Sequence, residues 1–326
     1  MIRSPETLSM QKPKWFLAVA VLTVVALVLL APIGLNRLPN SVLAAGPPAI
    51  SIASCNPTFT AGTAGGSYTV TANLTPAAGA NCIVVTAPGV TINLNHFTLT
   101  GTGAAVGVDI GPSAVGAHVV GGTITGFATG VLDSASSALM EGLTIRANTG
   151  NGVIMKTANG SILGSSSITG NGANGVYLLN TRYGIVEYNV QISGNGTSGT
   201  GYGVWIQNNN ATATLSYDNI VAGNTFGSGG PQLASVWVGI SANAPLTCGT
   251  TGAPSTGNVI VDNQNISGNA VVGIGLQCTT ATNNSVTDNR TVTGNASFDL
   301  FDGNTTCDGN TWLADTFGTS NQSCIH

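Results

Sequence analysis

A tetrad of apolar residue, small residue, glycine and asparagine recurs along the chain. It reads Ile168-Thr169-Gly170-Asn171, then Ile192-Ser193-Gly194-Asn195, Val221-Ala222-Gly223-Asn224, Ile266-Ser267-Gly268-Asn269 and Val292-Thr293-Gly294-Asn295. Ile145-Arg146-Ala147-Asn148 is a weaker copy, and Leu99 and Ile124 open two more without the Asn. Counted between the lead residues, at 99, 124, 145, 168, 192, 221, 266 and 292, the steps are 25, 21, 23, 24, 29, 45 and 26. A period in the low twenties implies a stacked repeat. Each repeat also carries Gly followed by an apolar residue, as at Gly107-Val108, Gly130-Val131, Gly152-Val153, Gly175-Val176, Gly203-Val204 and Gly273-Ile274. A third run ends at Asn189, Asn219, Asn263 and Asn289. Three short β-prone runs separated by turn residues, in ~22–25 residues, make one rung of a parallel β-solenoid.

The asparagines fall into columns: Asn148, Asn171, Asn195, Asn224, Asn269 and Asn295 in one, Asn189, Asn219, Asn263 and Asn289 in another. Rungs stack ~4.8 Å apart, so each amide can donate to and accept from the next. Asn, an apolar residue and Asn ahead of Gly-Val or Gly-Ile resembles the PbH1-type repeat of right-handed parallel β-helix proteins, the pectin-lyase-like group. The likeness covers about residues 50–326. It implies an all-β, right-handed parallel β-helix of about eight rungs, with N- and C-terminal caps, and implies no single activity.

Along the chain, Arg3, Lys12 and Lys14 precede an apolar run from Trp15 to Ala31, and Val42-Leu43-Ala44 follows. Residues 1–45 read as a signal peptide cleaved near Ala44 or Ala45, or as an uncleaved anchor. Either places the body outside the cytoplasm, secreted or on the cell surface, with a membrane contact only through an uncleaved leader. Residues 46–89 are expected to cap the N-terminal end, 90–297 to form the β-helix with a loop inserted at 241–257, and 298–326 to cap the C-terminal end. Cysteines at 55, 82, 248, 278, 307 and 324 suit disulfides in an exported chain, with Cys55–Cys82, Cys248–Cys278 and Cys307–Cys324 as the expected pairs. No CxxC occurs, and His96, His118 and His326 are too scattered for a zinc site. His96 and His118 read as structural.

Beyond the leader, four basic residues face eleven acidic ones, a formal charge of −7. That field repels phosphate backbones, so nucleic acid is not an expected partner. With Lys, Arg, Asp and Glu at 6% of the chain, the surface must be built from Thr, Ser, Asn and Gly.

Strand alternation after each Gly-apolar pair sets Asp109, Leu132, Ile154, Tyr177, Trp205, Trp237, Gly275 and Asp299 in one outward column. Tyr177, Trp205 and Trp237 occupy consecutive rungs and span ~10 Å, a length on which sugar rings could stack. Lys156, Leu179, Gln207, Gly239 and Gln277 form the neighbouring column, where Lys156 and Gln207 could add hydrogen bonds. Alternatively the aromatics pack beneath the 241–257 loop or stiffen the sheet. Asp218, Asp262 and Asp288 each precede a ladder Asn. If all three point outward, they are weak candidates for a calcium site or for catalytic carboxylates, against the plainer role of satisfying turn amides. No cofactor beyond possible calcium is expected.

The favoured reading is an exported β-helix that binds an extracellular or cell-wall polysaccharide on its outer sheet. A polysaccharide lyase or glycoside hydrolase is the alternative, and a structural or adhesive envelope protein the second. Pectate-lyase-like enzymes pair calcium-binding acids with a basic residue, and polygalacturonase-like ones set Asp pairs beside Gly-His-Gly and Arg-Ile-Lys segments. No segments of that kind occur here, so no complete catalytic pattern is present.

Overall fold

The structure is a computed structural model that describes residues 48–55, 58–209, 216–228, 230–239, 253–277, 280–304, 306–307 and 309–326. The leader, most of the 241–257 loop and the Cys248–Cys278 pair lie outside the described residues. The chain is a parallel β-helix, as its period implies. One wall is a ten-stranded parallel sheet running from Phe59–Ala61 to Phe298–Asp302. The other is a fourteen-stranded sheet from Ile50–Ile52 to Thr311–Leu313. It is bent, and three rungs contribute two short strands to it, as with Ile162–Gly164 and Ser167–Thr169.

Each bend turns on one residue with left-handed backbone, and in most rungs the next residue is an Asn whose amide is buried. The first bend places Tyr183, Asp218, Gly257, Asn283 and Gly309 at positive φ. The second places Gly142, Ser165, Tyr188, Gly223, Asp262, Asp288 and Ala314 there, and the third Ala147, Gly170, Gly194, Gly268 and Gly294. Three ladders result. Asn189, Asn224, Asn263 and Asn289 are joined by Nδ2-to-Oδ1 bonds of 2.9, 3.0 and 2.9 Å. Asn219, Asn258, Asn284 and Asn310 are joined at 2.9, 2.8 and 3.3 Å. Asn148, Asn171 and Asn195 are joined at 3.0 and 2.9 Å, and the column resumes from Asn269 to Asn295 at 2.6 Å.

Two ladders were expected, and the columns were cross-phased. Asn224 belongs with Asn189, and Asn219 starts a column of its own. Val221 pairs with Val186, not with Ile192. The cause is that the bends use the same device, so one tetrad serves more than one of them. The true steps here are 35 and 39 residues, from Ile185 to Ile220 to Val259, so two successive rungs are long.

The segment expected as the N-terminal cap carries strands of both walls. Ile50–Ile52 and Ser67–Val70 pair in the fourteen-stranded sheet, and Phe59–Ala61 and Ile83–Val85 in the ten-stranded one. Residues 50–89 therefore add strands to both walls of the helix. At the other end Phe298–Asp302 and Thr311–Leu313 form further strands before the chain closes. Cys55–Cys82 and Cys307–Cys324 are bonded as expected. The interior is lined by apolar side chains, among them Val131, Val153, Val176, Val204, Val236 and Ile274.

Candidate functional site

The outer face of the ten-stranded wall carries the expected aromatic column, with one change of register. Gly275 pairs with Phe301, so Phe301 rather than Asp299 continues the column. Tyr177, Trp205 and Trp237 do stack on consecutive strands. They are not an open platform. Trp237 is fully buried and Trp205 is 7% exposed, in a second apolar cluster with Tyr202, Ala234, Val272 and Phe301. Rings follow one another from Tyr177 to Trp205 at 4.7 Å, Trp205 to Tyr202 at 5.4 Å, Tyr202 to Trp237 at 5.9 Å and Trp237 to Phe301 at 6.3 Å. Gly275 is required because a Cβ there would enter the Trp237 ring. The Trp205 indole donates to Gly239 O at 2.8 Å. Gln207 is buried and accepts from the Tyr177 hydroxyl, whose pKa burial pushes up to about 12. Lys156 is exposed at the edge, in register with Leu179 and Gln207. Alternation correctly sets these residues outside the wall. It does not reveal that the aromatics bury one another.

The three aspartates do not converge. Asp262 and Asp288 sit on adjacent rungs of the second bend, whereas Asp218 occupies the first bend, across the strand Ile220–Ala222. Asp262 is paired with Arg290 at 3.0 Å, with both side chains more than half exposed. Among the described residues no group of three or more His, Cys, Asp or Glu is assembled that could hold a metal.

The other outer face holds a constellation that the sequence reading passed over. On the fourteen-stranded wall Leu139, Ile162, Ile185, Ile220 and Val259 occupy one outward register over five consecutive rungs. Two positions further along lies a parallel column: Glu141, Gly164, Glu187, Ala222 and Val261. Glu141 and Glu187 are the only glutamates after residue 6. They stand two rungs apart, ~9.6 Å between Cα atoms at the usual strand spacing. Gly164 lies between them and presents no side chain. A Cβ placed on Gly164 would lie 3.8 Å from Glu187 Cγ, so the Glu187 side chain leans into the gap. His118, from the rung before, bonds Glu141 Oε1 through Nε2 at 2.9 Å.

The two carboxyls have different surroundings. Glu141 has an imidazole partner. Glu187 is half-buried between strands that bring no charged residue, Ile162–Gly164 and Ile220–Ala222, and burial raises its pKa. Tyrosines frame the same strand. Tyr183 precedes Ile185–Glu187 and Tyr188 follows it, 53% and 49% exposed, both with left-handed backbone. A bulky residue with φ > 0 is uncommon. Tyr217 meets Tyr183 edge-on at 5.6 Å, and the Arg182 guanidinium lies 5.5 Å from the Tyr217 ring centre. A signal for this site did exist in the sequence. Glu141 and Glu187 share the phase of Met140-Glu141-Gly142 and Val186-Glu187-Tyr188, 46 residues or two repeats apart, in a chain with almost no charge.

No protein-family profile matches the chain, and no curated protein matches it. Among solved structures it overlaps the Dettilon tailspike protein at 13% identity and a TM-score of 0.49, covering 82% of this chain and 60% of that one. It also overlaps endopolygalacturonase I from Stereum purpureum, solved with two galacturonates, at 12% identity and a TM-score of 0.25, covering 84% and 95%. The chain thus spans about 60% of the tailspike's length. At these identities and scores neither neighbour speaks to what this chain does.

Proposed function

We propose that this chain is an extracytoplasmic β-helix that binds a neutral polysaccharide along the outer face of its fourteen-stranded wall. The observation that carries this is the frame of exposed tyrosines, Tyr183 and Tyr188, at the two ends of Ile185–Glu187, with branched aliphatic residues running away on both sides. Solvent-facing aromatic and aliphatic groups in one continuous patch mark an interaction surface. Tyrosine suits a sugar ligand because its ring covers apolar C–H faces while its hydroxyl hydrogen-bonds. Five residues of extended chain separate the rings by up to ~16 Å, room for a short run of pyranose rings. A formal charge of −7 beyond the leader disfavours polyanions such as pectate. Two disulfides support an oxidising compartment. Among the described residues no helix is long and apolar enough to cross a membrane.

The test is affinity electrophoresis in gels cast with xylan, galactan, glucomannan or dextran, with polygalacturonate as the anionic control. Retardation by at least one neutral glycan, lost in Tyr188→Ala at unchanged Tm, is the expected result. No retardation in any gel overturns the reading and favours a structural envelope role.

A further inference from the structure

The two ends of the β-helix are finished differently. At the C-terminal end the Asn ladders run into Asp315, Asp299 and Asp302, and the closing segment bridges Phe317 to Val292 and Ser320 to Leu300. The last inward side chain of the fourteen-stranded wall, Trp312, is buried there. The N-terminal end has no such closure. Ile50–Ile52 ends the fourteen-stranded wall and Phe59–Ala61 ends the ten-stranded one, and among the described residues no strand pairs with the outer edge of either. Ile50 tops an inward column over Tyr68, Ile92 and Val119. Those three are at most 3% exposed, whereas Ile50 is 46% exposed. A core position is thus left half uncovered where a further rung would lie.

Solenoid and sheet edges are ordinarily blunted by charge, proline or a bulge. Neither end strand carries any of these. No Lys, Arg, Asp or Glu occurs between Arg37 and Asp109, and Asp109 lies on the third strand from the end of its wall. The Cys55–Cys82 disulfide ties the segment between the two end strands to the next rung, so the edge is held in shape.

We propose that the N-terminal end of the β-helix docks on the same end of a second copy, forming a dimer with twofold symmetry. A twofold axis normal to the walls lays Ile50–Ile52 antiparallel on its own copy, Ser51 against Ser51, and Phe59–Ala61 on its copy. Both pairings satisfy open backbone groups, and each Ile50 is covered. The end meets itself without like-charge repulsion because it bears no charge. The chain's own run into Ile50 is a poor cover. Cleavage near Ala44 or Ala45 would leave only four or five residues ahead of the strand, and Pro47 and Pro48 have no N–H to give a ladder. The contact is isologous, and the closed C-terminal end offers no second one, so assembly stops at two.

The exported full chain would be studied by sedimentation equilibrium from the micromolar range upward, with hydrogen exchange at the same concentrations. The expected result is a mass of two chains, with amides of 50–52 and 59–61 gaining protection as concentration rises. Ser51→Lys sets two like charges at the axis and should raise the dimer Kd by ~10-fold or more, with the fold of each chain unchanged by circular dichroism. Val190→Lys, at an exposed site on a central rung, should leave the dimer intact. A single-chain mass at every concentration overturns the proposal. If removal of residues 1–45 then opens 50–52 to exchange, the leader is the occupant instead. Assemblies that keep growing with concentration overturn it as well, since they need a second open end. A dimer lost in Val190→Lys and kept in Ser51→Lys moves the contact to the side of the helix and overturns the end-to-end assignment.

Discussion

At the scale of single residues, burial reverses one expectation about the tryptophans. Trp237 is fully enclosed, so Trp237→Ala should cost ~3–5 kcal/mol of stability, seen as a lower denaturant midpoint, instead of acting on a glycan alone. Two buried carboxyls make a second case. Asp133 and Asp315 each have one oxygen engaged by N–H donors and a second, buried oxygen without a partner. Burial raises each pKa to about 6. An unfolded Asp titrates near ~3.9, so between ~4 and ~6 the folded chain binds the extra protons. Stability is then greatest below ~4 and falls as pH rises through ~6. For Asp133 alone the difference is up to ~3 kcal/mol. Asp133→Asn should therefore raise Tm at pH 7.5 and change it little at pH 4, as calorimetry at the two pH values would show.

At the scale of elements, the ladders have a direction. Within a ladder, an Asn followed by another sends both its backbone N–H and its Nδ2 to the Oδ1 of the next rung, as from Asn224 to Asn263 at 3.0 Å each. Donors therefore accumulate at the C-terminal end, where an acceptor-only side chain is needed. Each ladder supplies one. Asn289 ends on Asp315, Asn295 on Asp299, and Asn310 on Asp302. Carboxylates that end the ladders leave no donor free to template a further rung. Asn263→Ala should strand both donors of Asn224 and remove the side-chain donor from Asn289, which keeps the backbone N–H, at ~1–3 kcal/mol for each orphaned group. Hydrogen exchange should then rise at Asn224 and Asn289 before it rises at Asn148.

At the scale of the whole molecule, a solenoid holds each rung only by its neighbours, so its ends are the weak points. The two described disulfides sit there, Cys55–Cys82 closing 27 residues and Cys307–Cys324 closing 17. Loop closure of that length contributes ~3 kcal/mol apiece. Reduction should fray the terminal rungs first. Hydrogen exchange would report this as early loss of protection in 50–85 and 298–325, with the central strands still protected.

The repeat by itself determined the architecture. A period near 23 with an Asn after each bend has few solutions other than stacked parallel strands, because each short run must bury one face and pair its backbone with the next rung. Alternation likewise determined which side chains leave the wall, from Asp109 to Trp237. The phase across the two long rungs was not legible. Val221-Ala222-Gly223-Asn224 satisfies either of two bends locally, and only its pairing with Val186 decides between them. The sequence could not show that outward Trp205 and Trp237 would be buried, since facing out of a wall is a local property and burial depends on what packs over it. Nor could it show that Glu141 and Glu187 share one outward column. Their 46-residue separation becomes two rungs only once the register is known, and the tertiary structure supplies that register through Gly164.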